Sequence, residues 1–326
     1  MESRNLDVAL ARRERLLERL HAEGTDCYRL FHGAVEGHPG LALDRYGPLL
    51  LVQTWRASVA RADVLAWAAR ASSYLGVVLQ PVHNHRAKPI DFEAHWPWTG
   101  ADPVLGREQG LSVDVRPRHG GQDPLLFLDL RALRRRVREV SPSASVLNLY
   151  AYTCGVGLLA AAGGAAEVWN VDFAKRALAV GRDNAERNGL PQRFVHDNCF
   201  VVNRQLAGLP VGRRGRWTRY EPRSFDLVVL DPPRWSTSRA GTVDTVRDYP
   251  SLFKPAVLAT RPGGVVAATN HVASVDRDAW FDALRRCAAK AGRPLASIEW
   301  MPPDEDFPTP DGRPPLKVAW CTTEAG

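Results

Sequence analysis

Residues 145–162 read SVLNLYAYTCGVGLLAAA, in which an apolar run is followed by a turn with two glycines and a second apolar run. The first run predicts a buried strand over 145–150, and the second predicts a helix over 156–163. Glycine lets the backbone turn tightly and approach a ligand, and a helix start presents N–H groups without partners inside the helix. The stretch therefore indicates an α/β fold with a ligand at the end of this strand.

Strand-like and helix-like segments alternate along the chain from about residue 120 onward. Apolar runs predict strands at 145–150, 167–172, 193–196, 224–230 and 264–269. Helical periodicity predicts helices at 131–140, 156–163, 175–188, 201–206 and 249–260. This order is typical of βαβ units in a parallel sheet. Right-handed crossovers would place the strands in one Rossmann-like doubly wound sheet, with a ligand crevice at their carboxyl ends.

The residues before 119 have a different pattern. An amphipathic helix is predicted at 4–23, and a hairpin follows with a turn at 45–48. The other predicted strands of this part lie at 40–43, 49–55, 77–82 and 111–115, and a helix is predicted at 61–75. We therefore divide the chain into an N-terminal helix (1–25), a small hairpin-containing α+β domain (26–118) and the Rossmann-like domain (119–326).

Composition limits the class of protein. Hydrophobic residues make up 45% and charged residues 24% of the chain, as in ordinary globular proteins. No apolar run approaches the roughly 18 residues that a membrane span needs, and the charged N-terminus lacks the apolar core of a signal peptide. These features predict a cytoplasmic protein without a membrane partner. The formal charge of +7 favours a polyanionic partner, although charge alone says nothing about the reaction.

Cysteine and histidine spacing gives no support for a metal site. The five cysteines are scattered and form no C-x-x-C pair, which is typical of reduced thiols. His83 and His85 could be put forward as a metal pair, but no cysteine or carboxylate ligand set stands beside them. We expect no metal.

Carboxylates follow two further predicted strands. Asp172 comes 15 residues after Gly157, where an acidic residue could accept hydrogen bonds from ribose hydroxyls. Asp197 and Asn198 follow the third strand, where a carboxylate could accept from an adenine amino group. Each of these positions could equally be a helix cap.

The segment 224–236, SFDLVVLDPPRWS, ends a predicted buried strand in Asp231-Pro232-Pro233. Two prolines lack N–H groups and stiffen the loop, so that its carbonyls can act as fixed acceptors for the edge of a planar base. Asp231 would orient that base; a merely rigid turn is the alternative. A nicotinamide-dependent oxidoreductase is a rival interpretation, disfavoured because the third glycine of the dinucleotide fingerprint is absent.

In order, the motifs N-L-Y-A-Y-T-C-G, V-D-F, N-A-E-R-N-G-L, H-D-N-C-F and D-P-P-R resemble those of one family. This family is that of the bacterial large-subunit (23S) ribosomal RNA methyltransferases, which are class I enzymes that depend on S-adenosylmethionine. Its members include the cytosine-5 enzymes and the guanine-N7 half of the bifunctional guanine enzyme. Segments 120–137 and 37–53 are similar to the family's Q-x-T-G-x-F-L-D-x-R segment and central hairpin, and 306–318 matches a weaker signature. The resemblance implies S-adenosyl-L-methionine as cofactor and RNA as partner.

Site residues are carried over where the motifs match. The resemblance implies that the cofactor is held by Gln122, Phe127, Asp129, Arg131, Asn148, Tyr150, Tyr152, Thr153, Gly155, Asp172, Phe173, Asp197, Asn198 and Asp231. Arg131 is suited to the methionine carboxylate of the cofactor. The predicted catalytic residues are Asp231, Pro232, Pro233 and Asn270.

Two departures from the family pattern affect the predicted reaction. The resemblance does not extend to the family's N-terminal RNA-binding PUA domain, and we expect the helix at 4–23 in its place. The cytosine-5 enzymes carry S-C-S after the fifth strand, whereas residues 267–271 here read AATNH. Methylation of an unactivated ring carbon needs a nucleophile, but a base nitrogen can attack directly once it is aligned. We therefore favour a nitrogen of guanine over carbon 5 of cytosine.

Two other functions stay open at this point: a methyltransferase that acts on a small metabolite or a protein, and a non-catalytic RNA-binding relative. RNA contacts are predicted in the segment 211–224 and just after D-P-P, at Arg213, Arg214, Arg216, Trp217, Arg219 and Trp235. Arginines would meet phosphates and the aromatic rings would stack on unpaired bases. A solvated insertion is the alternative for 211–224. A target base within a duplex would have to be flipped out.

Overall fold

The structure, a computed structural model, describes residues 3–86, 100, 102–116, 124–211, 218–238 and 241–326. The chain forms two compact units. The first unit consists of Met1–Asp129 and Pro303–Arg313, and the second of Leu130–Pro302 and Pro314–Gly326. This division lies 11 residues after the predicted boundary at 118, since 129 − 118 = 11. The return of 303–313 to the first unit depends on contacts distant in sequence, which a local pattern does not reveal.

The first unit contains helices packed on a four-stranded sheet of order β1-β2-β3-β4 and a separate hairpin β5-β6. The helices are α1 Ser3–Arg12, α2 Glu14–Ala22 and α3 Arg61–Leu75. The strands are β1 Cys27–His32, β2 Leu41–Tyr46, β3 Leu49–Thr54, β4 Gln80–His85, β5 Leu105–Glu108 and β6 Leu111–Asp114. β1, β2 and β3 pair antiparallel, whereas β4 runs parallel to β3 because α3 connects them as a crossover.

Three local features of the first unit differ from prediction. The single helix at 4–23 is two helices that meet at Arg13, whose buried guanidinium binds Ala9 O at 2.9 Å and Glu36 at 2.5 Å. Arg45 and Tyr46 belong to β2, so that the turn is only Gly47-Pro48. Gly47 has a φ of 58°, and a Cβ there would lie 2.3 Å from Leu105 O, which leaves room for glycine alone. The strand predicted at 77–82 begins later, at Gln80, because Gly76 and the residues after it end α3.

The second unit is a seven-stranded sheet with helices on both faces. Its strands are β7 Ser145–Leu149, β8 Glu167–Asp172, β9 Arg193–His196, β10 Phe225–Leu230, β13 Thr260–Asn270, β14 Leu295–Met301 and β15 Lys317–Thr323. A hairpin outside the sheet consists of β11 Trp235–Ser238 and β12 Gly241–Asp244. The helices are α4 Arg131–Val140, α5 Gly155–Ala162, α6 Lys175–Arg187, α7 Cys199–Leu206, α8 Tyr249–Leu258 and α9 Arg277–Lys290.

The strand order confirms the predicted Rossmann-like doubly wound α/β fold. From one edge it is β14-β15-β13-β10-β7-β8-β9, and β15 is antiparallel to both of its neighbours. The first strand in sequence, β7, lies between β8 and β10, so that the chain winds outward from it in both directions. A ligand crevice opens at such a switch point, at the carboxyl ends of the strands. The sequence analysis assigned no element after residue 269, and α9, β14 and β15 were missed.

Alternate residues of each central strand enter two cores, which explains why these strands are apolar throughout. Val146, Leu227 and Val229 pack with α4 and α5, whereas Leu147 and Val228 pack on the opposite face with α7, α8 and α9. In the part of the chain that the structure describes, no helix has the length and apolar character needed to cross a bilayer.

Candidate functional site

The ends of four neighbouring strands of the second unit are joined by hydrogen bonds just beyond the sheet. Asp197 N donates to Asp172 O at 3.1 Å, Ala151 N to Val171 O at 3.0 Å, and Asp231 N to Leu149 O at 3.4 Å. These bonds link the carboxyl ends of β9, β8, β7 and β10 in that order. Asp172, Asp197 and Asp231 therefore lie along the same edge of the sheet, next to the loop that leads from β7 into Gly155 at the start of α5.

The loop from β7 to α5 has an unusual backbone. Tyr150, Tyr152 and Cys154 have φ values of 60°, 50° and 62°, in the left-handed region that side chains other than glycine rarely adopt. Each such residue costs about 1–3 kcal/mol and persists only where its surroundings hold it. The bond from Cys154 N to Ala151 O, at 2.7 Å, and the bonds to β8 hold this loop. Strain of this kind is frequent at ligand sites.

Gly155 and Gly157 do not form the tight turn that was predicted for them. Gly155 is the first residue of α5. The tight turn lies before it, and the residues with left-handed φ in that turn are Tyr150, Tyr152 and Cys154. Gly157 lies within α5, where a Cβ would come within 2.1 Å of Asn170 Oδ1. Its lack of a side chain lets α5 pack closely on β8.

Asp172 ties two strand-end loops together. Its Oδ2 accepts from Tyr152 N at 2.8 Å and its Oδ1 accepts from Ala174 N at 2.7 Å. Burial raises the pKa of Asp172, and these backbone N–H groups oppose that effect by stabilising the carboxylate. Each carboxylate oxygen can accept a second hydrogen bond, so that a ligand hydroxyl can still be bound. The aromatic ring of Phe173 beside it is 56% exposed.

Asp197 and Asn198 have separate roles in the structure. Asn198 caps α7, with its side-chain oxygen accepting from Val201 N at 3.2 Å. Asp197 instead accepts from the Tyr220 hydroxyl at 3.0 Å. Burial and then the neighbouring Asp197 raise the pKa of Tyr220 to about 12, so that it stays a neutral donor. The sequence analysis did not select Tyr220 as a site residue, and no local signal links it to Asp197.

Asp231 stands at the centre of a polar group that joins β10 to β13. Its Oδ1 lies 2.7 Å from His271 Nε2 and also accepts from the Thr269 hydroxyl. Its Oδ2 has no hydrogen bond from any described residue. Burial raises the pKa of Asp231, but the charge of His271 and the bonds from His271 and Thr269 outweigh burial and lower it overall. Asp231 is therefore an ionised acceptor.

His271 was not among the predicted site residues. The signal for it was present, because it directly follows β13 as Asp231 directly follows β10. The neighbouring Asn270 is buried, and its Oδ1 accepts from Val272 N at 2.9 Å. Its Nδ2 is buried without a partner among the residues that the structure describes. Such a donor costs about 1–3 kcal/mol unless something binds it.

The remaining predicted cofactor residues are spread over both units. Arg131, Asn148, Tyr150 and Thr153 are buried in the second unit, and Asn148 donates to Asn170 Oδ1 at 2.9 Å. Phe127 and Asp129 belong to the first unit. Gln122 lies outside the described residues.

Of the predicted RNA contacts, Arg213, Arg214, Arg216 and Trp217 lie outside the described residues. Arg219 is exposed and pairs with Glu221 at 3.2 Å. Trp235 begins the hairpin β11-β12 directly after D-P-P-R, is 54% exposed, and has the guanidinium of Arg234 5.7 Å from its ring centroid. It is the exposed aromatic residue nearest in sequence to Asp231.

The two histidines considered for a metal are hydrogen-bonded within the first unit. His83 Nε2 and His85 Nδ1 lie 2.9 Å and 2.8 Å from the Thr54 hydroxyl oxygen. Among the residues with described positions, no three histidine, cysteine or carboxylate side chains form a group that could hold a metal ion.

Comparisons with known proteins agree with this geometry. Residues 51–319 match the sequence model of the S-adenosylmethionine-dependent methyltransferase family. The chain is 33% identical to the ribosomal RNA large subunit methyltransferase of Deinococcus radiodurans, over 88% of this chain and 70% of that protein. It is 29% identical to the ribosomal RNA large subunit methyltransferase I of Aeromonas salmonicida, over 94% of this chain and 75% of that protein.

A solved structure shows the same fold. It is a methyltransferase from Streptococcus mutans that depends on S-adenosylmethionine, is 22% identical and superposes with a TM-score of 0.77. The match covers 98% of this chain and 80% of that one. On the family match, the chain belongs to the S-adenosylmethionine-dependent methyltransferases.

Proposed function

We propose that this protein methylates a base of large-subunit ribosomal RNA, at a nitrogen of guanine and not at carbon 5 of cytosine. The names of the two relatives support the RNA substrate, since both are large-subunit ribosomal RNA methyltransferases. On this proposal the protein acts in the cytoplasm. The geometry at Asp231 supports a planar base, because an ionised acceptor, with one oxygen that binds no described residue, directly precedes a rigid two-proline segment at this strand end.

The observation that carries the choice of nitrogen is the state of the cysteines. Cys154 and Cys199 are the two cysteines close to the strand ends, and both are buried. Burial raises the pKa of each thiol well above its usual range, and Asp172 raises both further. A neutral buried thiol is a poor nucleophile, and carbon methylation needs an activated one. The end of β13 holds no cysteine, since residues 267–271 read AATNH.

The residues at the strand ends fit S-adenosylmethionine. Carboxylates at Asp172 and Asp197 suit ribose hydroxyls and an adenine amino group, and the strained loop at 150–154 brings backbone close to that edge. Asn270 Nδ2 is a buried donor without a partner in the described part of the chain, which is the kind of atom that a ligand satisfies. When bound, the cofactor supplies an electrophilic methyl group on sulfur.

The chain's own residues would then position the base. Asp231 Oδ2 accepts a hydrogen bond from the base edge, and the carbonyls of Pro232 and Pro233 are further fixed acceptors. Positioning supplies most of the rate enhancement when a nitrogen lone pair attacks directly. We further propose that Trp235 stacks on a flanking base and that Arg219 meets a phosphate, as does the arginine-rich segment 212–217.

The test is methyl transfer with purified protein and radioactive cofactor to large ribosomal subunits, to protein-free 23S RNA, and to a small-molecule and protein extract. We expect label in the RNA and, in nucleoside mass spectrometry of ribosomal RNA, a methylguanosine that disappears when the gene is deleted. Loss of 5-methylcytidine instead would contradict nitrogen methylation. Label only in metabolites or proteins would contradict the RNA substrate. Cofactor binding without transfer would identify a non-catalytic relative.

A further inference from the structure

We propose that the imidazole of His271 takes up the proton released by the target nitrogen, and hence that the methylated group is an amino group of the base. This inference rests on the proposed function, methyl transfer to a base nitrogen. It distinguishes an amino group, which carries hydrogen, from a ring nitrogen such as N7, which carries none.

The fold brings His271 to the acceptor at the D-P-P segment. β10 and β13 are parallel neighbours, with Leu230 paired to Ala268, so that the residues after both strands meet at one edge. His271 Nε2 lies 2.7 Å from Asp231 Oδ1. The Thr269 hydroxyl donates to the same oxygen, and the Tyr249 hydroxyl donates to Thr269 O at 2.7 Å, which fixes the end of β13.

The hydrogen bond determines which ring nitrogen of His271 accepts. Asp231 is ionised, and an ionised carboxylate only accepts hydrogen bonds. His271 Nε2 therefore carries the hydrogen, and in the neutral ring the lone pair is on Nδ1. The imidazole is 36% exposed, so that a substrate can approach it, whereas the Asp231 side chain is 19% exposed.

Charge around this pair favours the protonated ring after transfer. The carboxylate of Asp231 is in direct contact with the imidazole and would stabilise an imidazolium. Arg134 is the other cation that acts on Asp231, and Tyr249 stays neutral because burial raises its pKa well above the usual range. Lys317, which pairs with β13, donates to Val272 O at 2.8 Å, and burial lowers its pKa.

The proton balance follows from the bonds that change. The amino nitrogen forms a bond to the methyl carbon, the carbon–sulfur bond breaks, and its electron pair stays on sulfur. The nitrogen then carries a positive charge and loses one N–H proton to His271 Nδ1. The products are a methylamino base, S-adenosylhomocysteine and a protonated His271, which returns the proton to water. General base assistance of this kind contributes about 10²–10⁴-fold.

The test compares single-turnover rates of methyl transfer to large-subunit RNA for the wild type and His271→Gln, between about pH 5 and 9. Glutamine can still donate to Asp231, but it cannot take up a proton in this range. For the wild type we expect the rate to fall as the pH is lowered, because a protonated imidazole cannot take up the proton. For His271→Gln we expect a rate about 10²-fold lower and no such fall. His38→Gln, in the first unit, is the matched control and keeps the wild-type profile.

Three results would overturn the inference. One is a His271→Gln profile that keeps the fall at acid pH, which would make His271 only a structural support for Asp231. A second is 7-methylguanosine as the product of the wild-type protein, a measurement that needs no variant. The third is absence of methyl transfer to RNA by the wild type, which overturns the proposed function first and is seen before any variant is compared. Unchanged cofactor affinity of His271→Gln by calorimetry verifies that the variant is folded.

Discussion

Each unit has a carboxylate in a polar network, but the two networks differ in how many of the carboxylate oxygens have protein donors. In the first unit, Arg29 binds both oxygens of Asp44 at 2.7 Å and 3.0 Å, and Gln53 donates to the same carboxylate at 3.2 Å. Both Asp44 oxygens thus have protein donors. In the second unit, Asp231 has protein donors on Oδ1 alone, and Asn270 Nδ2 has no partner within the described ranges. A carboxylate oxygen without a protein donor can accept a hydrogen bond from a ligand, whereas a carboxylate whose oxygens are both paired within the protein is engaged in the fold itself.

The strongest test of this contrast is Asp231→Asn. The amide keeps the shape but removes the ionised acceptor that would orient the base, so that we expect the single-turnover rate to fall about 10³-fold, or about 4 kcal/mol. Because Oδ2 binds no described residue, the free energy of unfolding in urea should change by less than about 1 kcal/mol. A rate within tenfold of the wild type would remove Asp231 from the reaction.

The opposite result is expected for Arg29→Met in the first unit. This change leaves Asp44 buried and short of its main partner, and breaking such a pair costs about 3 kcal/mol of unfolding free energy. The matched control is Arg70→Met, which removes an ion pair with Asp7 whose side chains are 50% and 40% exposed. The control should cost much less, because water and salt screen an exposed ion pair. Equal losses of unfolding free energy for Arg29→Met and Arg70→Met in urea would show that burial does not make the Arg29–Asp44 pair more important than the exposed pair.

A smaller effect is expected at Asp172, where the carboxylate both ties loops together and faces the proposed cofactor site. Asp172→Asn removes one of the two acceptor oxygens, so that a backbone N–H group or the ligand loses its partner. We expect the dissociation constant for S-adenosylmethionine, measured by calorimetry, to rise about 10–100-fold, or about 1.4–2.7 kcal/mol. Asp282→Asn on α9 is the control, since Asp282 is exposed and forms an ion pair with the equally exposed Arg285. Unchanged affinity of Asp172→Asn would assign the residue to loop structure alone.

The distance along the sequence between contacting residues decides how much of the site could be predicted. Asp172, Asp197 and Asp231 were selected as site residues because each lies at the end of a predicted strand, which is a local pattern. The link from Asp231 to His271 spans 40 residues, and the link from Asp197 to Tyr220 spans 23, so that neither has a local signal.

A tight turn was predicted at the glycines of 155–157, yet the non-glycine residues of 150–154 form it, because bonds to β8 hold a backbone that local preference disfavours. Long-range contacts likewise place 303–313 in the first unit.

The smallest predicted effect concerns pH and is confined to the first unit. Burial, and then the charge of Arg29, lower the pKa of His32 to about 4. Between the ordinary value of about 6.5 and 4, the unfolded chain binds a proton at His32 that the folded protein does not bind. Stability from this group is therefore complete above about pH 6.5 and is lost as the pH falls toward 4. After allowance for solvent screening, this is about 1–2 kcal/mol.

His32→Gln removes that proton while its amide oxygen can still accept from Arg29, as His32 Nδ1 does at 3.0 Å. We expect the wild type to lose about 1 kcal/mol more unfolding free energy than the variant between about pH 7.5 and 5, as measured in urea. A residual dependence remains in the variant, because burial also lowers the pKa of His21. The Asp231 carboxylate has a lowered pKa and loses its contribution only at more acid pH, below its ordinary value near 3.8. Equal pH slopes of unfolding for both proteins would refute the assignment to His32.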